Sequence, residues 1–265
     1  MAMHDMDAEP AEGKDRNFVT SLARGLEILR CYRDNEPSLT NSDFSDRTGL
    51  PKATISRLTY TLCELGYLVA DERVGTYRLG AGVLQLGFGV LASMDINDRA
   101  KQEMQALRRG PNSYITVALG EQHGLDVVYL ATANSSEGVS LSIRVGSRLP
   151  VFHSAIGRAI LVGMEDDHRE AVFEIAGRQD SEVEAEGRAH FAEAKAEFGD
   201  TGFCTGYGRW RSDVNGIAVP VFSLTGARTY GLNVGGPSFR VKKRQLESVY
   251  APLLLMAAEA ISVRR

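Results

Sequence analysis

The chain has 265 residues, 43% hydrophobic and 24% charged, with a net charge of −4. That is the balance of a globular protein of two ordinary domains. No apolar run is long enough to cross a bilayer and no secretory signal opens the chain, so a cytoplasmic protein without membrane contact is expected. The three cysteines (Cys31, Cys63, Cys204) are far apart and lie near no histidine at ligand spacing. Neither a disulfide framework nor a zinc site is expected from them.

Met1 to Asn17 is polar and without periodicity, and reads as a disordered leader. Phe18 to Asp34 sets Leu22, Leu26, Ile28 and Leu29 on one helical face, with Thr20 or Ser21 as the N-cap. A second helix starts at Asn41 or Ser42 and buries Phe44. Gly49 suits a left-handed turn position, and Pro51 suits the first turn of the next helix. That helix turns Ile55, Leu58, Leu62 and Leu65 to the core and stops at Gly66. YLVAD (67–71) and TYRL (76–79) then pair as a hairpin across a turn at 72–75. Two short helices followed by a hairpin make a winged helix-turn-helix over 18–80.

From Gly80 to Arg109 the pattern is helical and apolar but carries four glycines at its start. Residues 81–98 read as a linker helix offering a dimer surface; the alternative is a helix packed wholly in its own domain. Beyond it, 99–265 mixes strands and helices. SYITVALG and LDVVYLAT flank a turn at Glu121-Gln122-His123, and SLSIRVG (140–146) is a third strand. Helices are expected at 155–164, 166–176 and 187–198, strands at 203–207, 216–223 and 229–235, and a closing helix at 241–263. Hairpins early and late favour an α+β domain on an antiparallel sheet.

Several ordered motifs resemble transcriptional regulators of the IclR family. They are SLARGLEILR, SDRTGLPKATISRLTYTLCELGYL and YRLG in the first part. In the second they are GSRLPVFHSAIGRAIL, GFC, NGIAVPVFS and LNVGGPSFR. The resemblance covers the chain from about Phe18 to its end. It implies a winged helix-turn-helix, a linker helix, and a C-terminal GAF-like α/β ligand-binding domain with an antiparallel sheet. It also implies homodimers, often paired into tetramers as dimers of dimers, and response to a small organic effector.

On the recognition helix, Lys52, Ala53, Thr54, Ser56, Arg57, Thr59 and Tyr60 are the candidate DNA contacts. Arg57 can fork onto guanine or clamp a phosphate, and Thr54 and Ser56 can donate or accept. Arg73 and Arg78 in the hairpin and Arg24 in the first helix are candidate backbone contacts. Residues 16–80 hold nine Lys/Arg against eight Asp/Glu, so affinity must come from a local patch used twice, on a palindromic double-stranded operator. A two-fold dimer sets its half-sites on the order of 34 Å apart, or a multiple of that.

The resemblance places the effector between the segment around His153, Ser154, Ala155 and Gly157 and the late strands. A helix N-terminus there suits a carboxylate. The late strands carry Asn215, Asn233 and Gly235 where many members have Cys or Ser, and the preceding loop carries Tyr207 and Trp210. Trp210 between two arginines either clamps an anion or ring, or plugs the core. No H-E-x-x-H, G-x-S-x-G, Walker loop or dinucleotide fingerprint is present, so neither an enzyme nor a cofactor is expected. The expected function is a ligand-responsive DNA-binding repressor of a catabolic operon, sensing a small organic acid or aromatic metabolite. The competing reading is a ligand-binding or interaction module that has lost DNA binding.

Overall fold

The computed structural model describes residues 17–33, 36–94, 96–137 and 143–262. The expected leader lies outside them except for Asn17. The chain divides into two units, the first ending at Val90 and the second starting at Leu91.

In the first unit, α1 (Thr20–Arg30) begins after Val19, which has no side-chain acceptor, so neither Thr20 nor Ser21 caps it. Its expected apolar face is split. Ile28 is fully buried, while Leu22 and Leu26 stay exposed. α2 (Asn41–Thr48) is closed by a reciprocal cap, in which the Thr40 hydroxyl accepts from the Asp43 N–H and the Asp43 carboxylate accepts from the Thr40 N–H. Its chain exit is Gly49 at φ +68°, a conformation that costs a residue with a Cβ. α3 (Lys52–Glu64) follows with Pro51 as its N-cap. Ile55, Thr59 and Leu62 face inward, whereas Leu65, expected in the core, is exposed. β1 (Leu39–Thr40) and β2 (Leu68–Asp71) flank β3 (Thr76–Leu79), making a three-stranded antiparallel wing. Phe44 sits between the rings of Tyr32 and Tyr77, joining wing and helices in one small core. α4 (Ala81–Ala92) buries none of its residues; Leu84 is 75% and Phe88 67% exposed.

The long helix expected to Arg109 breaks after Ala92, and α5 (Asn97–Arg108) belongs to the second unit. That unit is built on six antiparallel strands in the order β6-β5-β4-β9-β8-β7. They are β4 (Thr116–His123), β5 (Asp126–Ala133), β6 (Arg148–Pro150), β7 (Cys204–Thr205), β8 (Val214–Phe222) and β9 (Thr229–Pro237). The β4–β5 turn falls at Gly124-Leu125, with Gly124 at φ +60°, not at residues 121–123, which continue the strand. Of the strand expected at 140–146, residues 140–142 lie outside the described ones, and Ile143–Gly146 is irregular; the edge is β6.

One sheet face is covered by α5 and α10 (Ala251–Ile261). The latter continues from α9 (Lys243–Gln245) through a π-helical turn at Leu246–Tyr250. The other face carries α6 (Ala155–Gly163), α7 (Asp166–Gln179) and α8 (Ser181–Thr201). Because both faces are covered, β8 and β9 read as nearly continuous buried runs without alternation. α6 lies very close: a Cβ at Gly157 would stand 2.1 Å from the Val151 carbonyl oxygen. No helix among the described residues is long and apolar enough to cross a membrane.

Candidate DNA-reading helix and effector cavity

On α3, Lys52, Ala53, Ser56, Arg57 and Tyr60 are exposed and Thr54 is half-buried. The helix thus offers one cationic and hydroxyl-bearing face to solvent. Thr59 corrects the expectation. It is fully buried, and its hydroxyl donates to the Ile55 carbonyl, so it belongs to the core. The near balance of charge is resolved by where the acids go. Glu36 holds Arg47 at 2.8 Å, Asp43 caps α2, and Asp71 accepts from the Arg73 N–H in the wing turn. Arg24, Lys52, Arg57, Arg73 and Arg78 are exposed and take part in no ion pair among the described residues. Arg24, Thr54 and Arg57 border one groove between α1 and α3.

In the second unit a cavity of about 30 Å³ lies between the sheet and the start of α6. Its floor is a row across three strands, where Thr116 of β4 pairs with Gly235 of β9 and Gly235 with Gly216 of β8. Two glycines in one row leave space that side chains would fill. The wall opposite is Ser154, Ala155 and Ile156, so the cavity ends on the first residues of α6. Ser154 caps that helix, accepting from the Gly157 N–H at 3.1 Å and donating to the Pro150 carbonyl at 2.8 Å. Asn215 lines the cavity but spends its amide N–H on the Val241 carbonyl at 2.9 Å. Tyr129 and Asn233 also line it, and the Tyr129 hydroxyl and Asn233 Oδ1 are buried without a hydrogen-bond partner. Burial pushes the Tyr129 phenol up, with the neighbouring Asn233 side chain opposing, so it stays a neutral hydroxyl; the two side chains lie close, but neither the hydroxyl nor Oδ1 completes a hydrogen bond. Two orphaned polar atoms beside a helix N-terminus are groups a polar ligand satisfies.

Residues 21–72 match the "IclR helix-turn-helix domain" and residues 88–263 match "Bacterial transcriptional regulator IclR C-terminal". This chain belongs to the IclR family of bacterial transcriptional regulators. It is 32% identical to the HTH-type transcriptional regulator TsaQ1/TsaQ2 of Comamonas testosteroni over 98% of this chain and 94% of that one. It is 30% identical to the Pca regulon regulatory protein of Pseudomonas putida, over 92% of this chain and 83% of that one. The crystal structure of an IclR-family regulator from Brucella abortus, 37% identical, superposes with a TM-score of 0.80 over 96% of this chain and 95% of that one. An IclR homolog of Microbacterium hydrocarbonoxydans, complexed with 4-hydroxybenzoate, is 24% identical and shares the fold, with a TM-score of 0.66 over 91% of this chain and 97% of that one. The family is one of transcription regulators and not of enzymes. In keeping with this, burial pushes the Cys204 thiol up to about 12, far from a nucleophile's range.

Within this IclR fold, Ser154, Ala155, Trp210, Asn215, Asn233 and Gly235 line the cavity. Three residues expected with them do not. Gly157 gives its N–H to Ser154 and serves the close approach of α6 to Val151. Tyr207 points to the closing helix, its hydroxyl donating to Glu247 at 2.9 Å. His153 turns toward α8, with Nε2 at 3.1 Å from Glu186. Trp210 is half-buried against the core. Its flanking arginines are committed elsewhere, Arg209 to Glu193 at 2.8 Å and Arg211 to Asp213 at 2.6 Å, so they form no anion clamp.

Tyr129 and Thr116 escaped sequence reading, since each sits in an apolar strand run with no local signal. So did the brace beneath the cavity. Arg158 of α6 is 2% exposed and pairs with Glu197 of α8 at 2.9 Å. Glu197 also accepts from the Thr205 N–H and hydroxyl, tying β7 to both helices.

Proposed function

We propose that this IclR-family protein is a ligand-responsive repressor of a catabolic operon that binds a palindromic operator as a homodimer and senses a small aromatic or other organic carboxylate. The observation that carries the effector reading is the cavity at the α6 N-terminus with Tyr129 Oη and Asn233 Oδ1 unpaired. The helix end favours the carboxylate, and Tyr129 and Asn233 meet a second polar group. The 4-hydroxybenzoate complex of a protein with the same fold supports an acid of that size. A cavity of about 30 Å³ holds only water-sized molecules, so binding separates its walls, and the effector acts by favouring the opened arrangement.

At the other end, Lys52, Thr54, Ser56 and Arg57 read bases and flanking phosphates, and Arg24, Arg73 and Arg78 hold the backbone. The apolar side chains left open on α1 and α4 support self-association, since a monomer has no use for such a face. Two copies, paired further into a tetramer, present α3 to successive major grooves.

The test is retardation of DNA from the promoter region beside the protein's own gene. A salt-sensitive, sequence-dependent shift is expected, and it should change on adding aromatic acids. No such shift at any acid concentration would reject the regulator reading and leave a module without DNA binding.

A further inference from the structure

We propose that His153, Glu186 and His190 form a binding site for one divalent transition-metal ion of the zinc class. The absence of a zinc site was expected from cysteine spacing alone; these three residues come from two distant segments. His153 lies in the turn between β6 and α6, and Glu186 and His190 lie one helical turn apart on α8, on the same face.

The geometry is close to that of a coordination shell. His153 Nε2 is 3.1 Å and His190 Nε2 is 4.0 Å from the same Glu186 oxygen. One ligand atom from each residue lies within 4.8 Å of the others. Zinc–nitrogen bonds of about 2.0–2.1 Å put the ligand atoms of a tetrahedral shell roughly 3.3 Å apart. One pair already stands there, and the others close by small rotations of partly exposed side chains.

The surroundings leave the cluster to a cation. Among the described residues no Lys or Arg pairs with Glu186. Arg209 is held by Glu193, and Arg188 by Glu170 and Glu184. The His190 Nδ1 is buried and has no hydrogen-bond partner, so no protein acceptor sets that ring's tautomer. Two imidazoles and one carboxylate select zinc, cobalt, nickel or copper over calcium or magnesium, which demand oxygen shells. Three protein ligands at a half-exposed site leave a further position for water or a ligand oxygen.

The position gives the metal a role. His153 directly precedes Ser154 and Ala155, which wall the cavity. A metal there pins that turn to α8, beside the Arg158–Glu197 tie between α6 and α8. The site itself stands whether or not the cavity takes an organic acid.

The experiment uses the full chain, freed of metal with a chelator and titrated with Co²⁺ while visible absorption is recorded. One Co²⁺ per chain is expected, displaced by Zn²⁺ and unaffected by equal Mg²⁺ or Ca²⁺. Glu186→Gln and His190→Gln should each weaken binding at least about tenfold, the loss that even outer-shell partners produce. His168→Gln, exposed on α7, should bind as the parent does. Melting in chelator checks the fold. Should His190→Gln melt early, His153→Gln and Glu186→Gln carry the comparison, their side chains being 36% and 55% exposed. Absence of stoichiometric Co²⁺ absorption, or its full retention in the folded Glu186 and His153 variants, would overturn the site.

Discussion

Arg57 and Arg158 sit at comparable places on helices, and the two units use them in opposite ways. Arg57 is exposed on α3 and takes part in no ion pair among the described residues; Arg158 is fully enclosed and held by Glu197. The first unit uses its acids in caps, turns and one pair with Arg47, and leaves Arg24, Lys52, Arg57, Arg73 and Arg78 without an ion pair among the described residues. The second buries charge to lock α6, α8 and β7 together under a cavity whose unpaired groups are neutral. A recognition surface works because its charges await a partner. A sensor works because a braced scaffold holds a cavity whose own polar groups still await a partner.

The largest expected break is at Arg158. Arg158→Ala leaves Glu197 without its cation and opens a void, costing about 3–5 kcal/mol of the second unit's stability in denaturant unfolding. Next is Arg57→Ala. Its fold should melt as the parent does, while operator affinity falls by about 1–3 kcal/mol; if the contact is to phosphate, the salt slope of binding shrinks by about one. Third, Thr40→Ala removes the cap of α2 and should cost roughly 1 kcal/mol, felt in the first unit only.

The smallest is Glu121 in β4. Burial raises its pKa above the ordinary 4.5, with Arg228 and then His123 opposing. Between the unfolded and folded values the native state holds more protons. Its favourable contribution is therefore present below about 4.5 and is lost as pH rises through the folded value. Glu121→Gln should thus raise the melting temperature at pH 7, with the gain fading toward pH 4.

The recognition unit was legible because its signals are local. Phe44, Gly49 and Ile55 follow from helix period and turn chemistry within a few residues. The Thr59 hydroxyl suggests a DNA contact, but its spacing, four residues from Ile55, sets it on the core face. The cavity was legible only in part. Asn233 and Trp210 stood out by residue type, but the cavity depends on register, which aligns distant Thr116 with Gly235 and Gly235 with Gly216. His153 neighbours cavity residues in sequence, yet the turn before α6 aims it at α8. Arg158 gave no sign of burial, because its partner arrives from 39 positions further along (197 − 158).

The separation of reading from sensing is tested most directly by anisotropy of labelled operator DNA, titrated with the parent chain, Arg57→Ala and Asn233→Leu, each with and without the aromatic acid that most alters the parent's binding in a screen of such acids. Asn233→Leu should bind the operator as the parent does without the acid and should no longer respond to it, while Arg57→Ala should bind more weakly by about 1–3 kcal/mol under both conditions. Loss of acid-free binding in Asn233→Leu, or a response equal to the parent's, would contradict the account.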